Sequence, residues 1–195
     1  MIPLDYHIIE TAVPWWMVIS CRNRWHLEYF VETGTSEGIT ACTAAQHFRH
    51  VHTIELAPEP FNNPVSQLLE ANNVTRYLGN SSVIIPSIIP LLDKPTFWYL
   101  DAHWSGGGIK HGPECPLLDE ISALGLRDTC RDVVMIDNYG VFESCTPIHD
   151  KSQWPSVEQI VQQLGKHCPS LHVAVVLDVF LACPTLWTVS YPKNE

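Results

Sequence analysis

The chain has 195 residues, a length that suits one domain with its own core. Hydrophobic residues make up 46% and charged residues 16%, a globular composition that excludes a largely disordered chain. The formal net charge of −10, with no run of Lys or Arg, argues against long nucleic acid as a partner, because nothing offsets phosphate repulsion.

The elements expected along the chain alternate between strand and helix. The apolar piece Ala12 to Ile19 is too short to span a bilayer and is interrupted by Pro14, so no membrane segment or signal peptide is expected. Residues 1–26 read as an N-terminal segment that covers the sheet; the alternative is a lid over a substrate pocket, walled by Trp15 and Trp16. Strand one is expected at Tyr29 to Thr33, a helix at Ile39 to Gln46, and strand two at Val51 to Ile54. A helix at Val65 to Ala71 and a short strand at Thr75 to Leu78 follow. Ser82 to Leu92 reads as a helix broken by Pro86 and Pro90. Strand four is Thr96 to Leu100, a helix with Pro at its start is Pro116 to Leu124, and strand five is Asp132 to Ile136. Ser156 to His167 is the last helix, with Ser156 before an apolar periodicity, and Val173 to Leu177 and Leu186 to Ser190 close the chain as strands. The strand segments are continuous apolar runs, as in strands buried on both faces. The expected fold is therefore α/β: a Rossmann-like, doubly wound, mostly parallel seven-stranded sheet with helices on both faces, in one domain over 1–195.

The richest segment is Phe30-Val31-Glu32-Thr33-Gly34-Thr35-Ser36-Glu37-Gly38. A buried strand runs into a glycine-punctuated turn and a helix, and the next strand ends on Glu55. Strand, glycine turn, helix, strand, acid is the layout of a nucleotide-type cofactor site. Gly34 and Gly38 are expected to let a ligand lie against bare backbone. The Gly-x-x-x-Gly spacing lacks the dinucleotide and P-loop patterns, so no pyrophosphate is expected. Glu32 would repel a phosphate and attract an ammonium, and Glu55, about 20 residues on, is placed to accept hydrogen bonds from a ribose diol. A ligand with a ribose, a cationic amino-acid end and no phosphate is S-adenosylmethionine.

These residues resemble the class I S-adenosylmethionine-dependent methyltransferases over about residues 27 to 190. Glu32-Thr33-Gly34-Thr35-Ser36-Glu37-Gly38 matches the family's first motif and Ile54-Glu55 its second. Gly79-Asn80-Ser81-Ser82 is similar to the turn beside the adenine. The resemblance implies that Glu32, Gly34, Thr35, Ser36, Gly38, Glu55, Asn80, Ser81 and Asp101 bind the cofactor.

Four strands end on acids or their neighbours, Glu32, Glu55, Asp101 and Asp137, all at the carboxyl edge where ligands of open parallel sheets bind. Carboxylates gathered on one edge are costly unless cations or hydroxyls answer them. Asp101, Asp137 and Asn138 are oxygen donors on adjacent strand ends, a hard-ligand set suited to Mg²⁺ or a similar divalent cation. The same positions are similar to the metal ligands of catechol- and sugar-modifying O-methyltransferases, which implies metal-assisted methyl transfer to a small hydroxylated acceptor, sugars among the candidates. His103 is the expected general base, because an unperturbed histidine titrates near neutral pH, and Asp101 is the second catalytic candidate. The sequence departs from the catechol pattern in that Ala102 separates Asp101 from His103.

The loop from Ser105 to Cys115 leaves the same edge and is glycine-rich. With Pro116-Leu117-Leu118-Asp119-Glu120 after it, it is similar to a less characterised methyltransferase-like branch. His103, His111 and Cys115 also permit a zinc reading, although their spacing matches no standard motif. Two other readings stand beside the transferase: a cofactor-binding module without transfer, and a metal-dependent hydrolase on the same edge. The seven scattered Cys form no Cys-x-x-Cys pair and read as reduced residues of a cytoplasmic protein. Expected partners are a small-molecule acceptor, no membrane and no long nucleic acid; a homo-oligomer is compatible with the sequence.

Overall fold

A computed structural model of the chain describes residues 13–104, 106, 111–144 and 147–185. Its strands are β1 (Tyr29–Thr33), β2 (His50–Glu55), β3 (Val74–Leu78), β4 (Thr96–Leu100), β5 (Val133–Ile136), β6 (His172–Val176) and β7 (Val179–Cys183). They form one seven-stranded sheet in the order β3-β2-β1-β4-β5-β7-β6. The first five run parallel, and β7 lies antiparallel to both β5 and β6. The strand order reverses between β1 and β4, which puts the ligand crevice at their carboxyl ends.

Strand alternation divides the core in two. On one face Val31, Ile54, Trp98, Leu100 and Val134 pack against Ile85 of α5 (Ser81–Ile88), Leu117 and Leu124 of α6 (Leu117–Leu124), and Ile160 and Leu164 of α8 (Val157–His167). On the other, Phe30, Val51, Phe97, Tyr99 and Met135 pack against Met17 and Cys21 of α1 (Trp15–Trp25), Ala41 and Ala44 of α2 (Ile39–Ala45), and Leu68 of α4 (Ser66–Glu70). Over Trp15–Trp25 the N-terminal segment is a covering helix, and Trp15 stacks on Phe30 with ring centroids 6.2 Å apart. Of the segment 1–26 expected to cover the sheet or to form a lid, residues 1–12 lie outside the described residues.

Four elements differ from the sequence expectation. The short helices α3 (Pro58–Asn62) and α7 (Tyr139–Glu143) are additional, each too brief for a periodicity to show. The expected break at Pro86 does not occur: α5 runs through it and ends in a 3₁₀ turn at Ile89–Leu91 that holds Pro90. Strand β7 occupies Val179–Cys183, while the expected strand Leu186 to Ser190 lies outside the described residues. The β6–β7 hairpin turns on Leu177 and Asp178, with Leu177 at φ +56°, and carries none of the Asn-Gly or Asp-Gly signals that mark such turns.

The amino edge of the sheet is tied by Asp132. Its buried carboxylate accepts the Thr96 backbone N–H at 2.9 Å, the Trp98 indole N–H at 3.0 Å and the Arg127 Nε–H at 2.7 Å. Arg127 also donates to the carbonyls of Leu92 and Lys94. Asp132→Ala is expected to destabilise the protein by about 3–5 kcal/mol, because it leaves a guanidinium and an indole N–H without their buried acceptor; urea unfolding with an unchanged slope would measure it.

Candidate active site

The parallel register carries the acids to one edge. Glu32 sits opposite Thr53 and Tyr99 on the neighbouring strands, and Leu100 sits opposite Ile136. The ladder continues one residue further: the Asp101 N–H donates to the Thr33 carbonyl at 3.2 Å and the Asp137 N–H to the Leu100 carbonyl at 3.3 Å. Asp101 and Asp137 therefore emerge side by side from β4 and β5.

The glycine turn is shaped by the protein itself. Gly34 and Gly38 both have φ of +86°, the left-handed region that glycine enters without penalty. A Cβ on Gly34 would stand 2.5 Å from the Asp101 carbonyl oxygen, and one on Gly38 would run into the Leu68 side chain. On the side where a Cβ would stand, both glycines are thus packed closely by β4 and α4. Ser36, also left-handed at φ +48°, donates its N–H to Glu55 Oε2 at 2.8 Å. The Ala57 N–H donates to Glu55 Oε1 at 2.8 Å, so Glu55 clasps the turn to the end of β2 with both oxygens.

Glu32 faces inward. Its Oε2 accepts the Thr53 hydroxyl at 2.6 Å, and the Thr35 hydroxyl lies 2.6 Å from that of Thr53. Thr53 spends its proton on Glu32, so Thr35 is the donor in the second bond. Glu32 is 1% exposed, and burial pushes its carboxyl up to about 8, helped by the charge of Glu55 and opposed by the Thr53 hydrogen bond. Asn80 caps α5 through its side chain, which accepts from the N–H and hydroxyl of Ser82. Ser81 turns its hydroxyl inward to Glu120 Oε1, which leaves its backbone as the part that a ligand could meet.

The aspartate pair has a neutral surrounding. Asp101 is raised well above the carboxylate range by burial, then by the charges of Asp137 and Glu32; its side chain keeps 30% exposure, so solvent tempers the shift. Asp137 is raised by burial, with the Tyr99 phenol pulling the other way. His103 bridges them: its Nδ1 approaches Asp101 Oδ1 at 3.5 Å and its Nε2 lies 2.9 Å from the Asn138 amide nitrogen. The amide nitrogen is a donor, so Nε2 is the acceptor and Nδ1 carries the proton. Asn138 Nδ2 also donates to Asp137 Oδ2 at 3.1 Å. Burial takes His103 down to about 4, with His149 adding to the fall. The premise of an unperturbed histidine thus fails here, and His103 is neutral at pH 7 with its lone pair already engaged.

An aromatic wall stands beside this pair. Trp154 packs against His103 and Phe142, each at 5.3 Å between centroids, and against His149 at 4.6 Å. Buried Glu114 fixes the wall by accepting the Trp154 indole N–H at 2.7 Å and the Asp150 N–H at 3.0 Å. Phe142 and Trp154 are buried in this wall, and Tyr139 is partly exposed. Among the described residues, no three His, Cys, Asp or Glu side chains group as a metal site, so the His103, His111 and Cys115 zinc reading is not carried forward.

Solved structures share this architecture. The O-methyltransferase TomG from Streptomyces achromogenes, in complex with S-adenosylmethionine, aligns with a TM-score of 0.55 at 14% identity over 90% of this chain and 82% of its own. The O-methyltransferase from Bacillus cereus, in complex with S-adenosylhomocysteine, aligns with a TM-score of 0.54 at 18% identity over 88% of this chain and 80% of its own. CalS10, an amino pentose methyltransferase from Micromonospora echinaspora, aligns with a TM-score of 0.55 at 13% identity over 87% of this chain and 89% of its own. The fold is the class I methyltransferase fold. No family model and no curated protein sequence matches the chain.

Within this methyltransferase fold, sequence reasoning missed Glu114, Glu120 and Asp178, each of which acts across the fold on a residue far away in the chain. Glu120, 1% exposed in α6, is pushed up to about 7 by burial against the hydrogen bonds of Ser81 and Thr33. No local motif marks it, because its partners lie on α5 and β1.

The buried Glu32 gives a pH signature. Folded Glu32 stays protonated to about 8, whereas the unfolded carboxyl ionises from 4.5, so folding becomes costlier as pH climbs through that window. Glu32→Gln should therefore gain stability relative to the parent protein as pH rises from 4.5 to 8, up to a ceiling of roughly 4–5 kcal/mol. Paired urea titrations at both ends of the window would show it, and a pH-independent difference would contradict the assignment.

Proposed function

We propose that this chain is an S-adenosylmethionine-dependent O-methyltransferase of a small hydroxylated acceptor, with a divalent cation such as Mg²⁺ at Asp101, Asp137 and Asn138. The observation that carries the reading is the pair Asp101 and Asp137, side by side at the ends of β4 and β5, to which no Lys or Arg among the described residues is ion-paired. Such a set favours a cationic ligand, and both the cofactor's sulfonium amino acid and a divalent cation fit its chemistry. The ligands named in the structures of TomG and the Bacillus cereus enzyme support the cofactor. The amino pentose in the name of CalS10 supports a sugar among the acceptors to test.

When bound, S-adenosylmethionine supplies an electrophilic methyl group, and the cation lowers the pKa of a hydroxyl that it touches. The chain's own residues then hold the geometry. Glu55 fixes the turn on which a ribose would rest. Asp101 and Asp137 would supply carboxylate oxygens, and the Asn138 amide oxygen would supply a third hard ligand. His103 orients Asp101 and Asn138, and its lowered pKa makes it a poor proton store. The Trp154 and Phe142 wall excludes water from the acceptor side. All six described cysteines that are identified as free thiols suit a reducing compartment, and no helix among the described residues is long and apolar enough to cross a membrane.

Calorimetric titration of S-adenosylmethionine into metal-stripped protein, with and without Mg²⁺, tests the reading. Binding is expected, weakened at least tenfold in Glu55→Ala. In a methyl-transfer assay over hydroxylated sugars and phenols, Asp137→Ala should lose turnover by two orders of magnitude or more, on the order expected when a positioned charge is removed, while cofactor affinity is retained. Absence of cofactor binding under every condition would overturn the proposal; full turnover in Asp137→Ala would remove the metal from it.

A further inference from the structure

Asn138 presents a puzzle in side-chain economy. It is the N-cap residue of α7 and has φ +62°, but its side chain makes no cap hydrogen bond. An Asn after a strand ordinarily turns its own oxygen onto the backbone two or three residues on. Here that side chain is instead committed to the site, with Nδ2 on His103 Nε2 at 2.9 Å and on Asp137 Oδ2 at 3.1 Å.

The first turn of α7 is capped from elsewhere in the fold. Asp178, in the β6–β7 turn, accepts the Gly140 N–H on Oδ1 at 2.6 Å, and its backbone carbonyl accepts the Tyr139 N–H at 2.9 Å. Tyr139 and Phe142 of α7 both rest edge-on against Phe180 of β7, at 5.1 and 6.1 Å between centroids, so the hairpin and the short helix are docked together. Gly140 suits this contact, since a Cβ there would stand only 3.3 Å from Asp178 Oδ1.

We infer that Asp178 is a positioning residue: by capping α7 from outside, it releases the Asn138 side chain to hold His103 and Asp137. The consequence for the metal and acceptor edge rests on the function proposed above, but the contact itself does not. Without the Asp178 carboxylate, the Gly140 N–H loses its acceptor, and the side chain of the N-cap residue Asn138 is the replacement that a helix ordinarily uses. Recapture of Asn138 by the helix would free His103 Nε2.

The test reads the His103 ring directly. In the full-length protein, ¹⁵N-detected NMR of the histidine rings should show His103 with Nδ1 protonated and Nε2 as acceptor. Asn138→Gly, which tolerates the positive φ, supplies the signature of a ring without its amide partner. Asp178→Ala should move the His103 signals toward that signature, whereas Asp178→Asn, which keeps an oxygen for Gly140, should leave them near the parent position. The Asp178 side chain is on an exposed turn, and a thermal melt confirms that each variant is folded. If Asp178→Ala failed to fold, Asp178→Ser, with its acceptor set back from Gly140, would be read in the same way. An unmoved His103 in Asp178→Ala, or an equal displacement in Asp178→Asn, would overturn the inference. Mn²⁺ titration followed by water-proton relaxation then separates it from the proposed function. Weakening of at least fivefold in Asp178→Ala alone is expected, whereas no Mn²⁺ binding to the parent protein would sink the metal reading and leave the NMR result to decide the role of Asp178.

Discussion

The carboxyl edge of this sheet concentrates buried acid without matching base, and the surrounding structure is organised to tolerate that. Glu32, Asp101, Asp137 and Glu120 all have carboxyl groups raised by burial. A charged carboxylate removed from water costs several kcal/mol unless it is paired or protonated. The chain answers with neutral donors: Thr53 on Glu32 and Ser81 on Glu120. The opposite edge shows the other solution, where Arg127 compensates Asp132 directly. One sheet thus has a stabilised end and an end left electrostatically open, and the open end is where a cationic ligand gains most.

This contrast separates structural acids from available ones. Asp132 is held by an arginine, an indole and a backbone N–H, and Glu55 by one backbone N–H from the glycine turn and one from Ala57 just past β2. Asp101 and Asp137 are held mainly by their place at the ends of β4 and β5 and by a neutral histidine and amide. Their proton affinity is accordingly sensitive to what occupies the edge. The glycines of the turn serve the same end indirectly, since Gly34 permits the close approach of the β4 end that brings Asp101 beside β1.

Two devices from late in the chain complete the edge. Glu114 binds the 147–155 segment to the loop before α6, which sets Trp154 against His103. The β6–β7 hairpin holds α7 and with it the direction of Asn138. Both act through buried or well-directed hydrogen bonds across more than thirty residues of sequence. Rigid support of this kind is what fixes functional side chains closely enough for chemistry.

The sequence by itself determined the sheet and the edge. Continuous apolar runs marked β1, β4 and β5, because strands buried on both faces need no alternation, and each run stopped at or beside an acid. Parallel pairing then leaves no choice of edge, so Glu32, Glu55, Asp101 and Asp137 had to meet. Elements without periodicity or turn signal escaped: α3, α7 and the β6–β7 turn are too short or too ordinary in composition to stand out. Only the tertiary structure decided what each acid faces. That Glu32 and Ser81 look inward, that the end of β4 packs closely on Gly34, and that His103 is held neutral between Asp101 and Asn138 all depend on residues distant in sequence. Burial and hydrogen bonding set those states, and neither is a property of a local segment of chain.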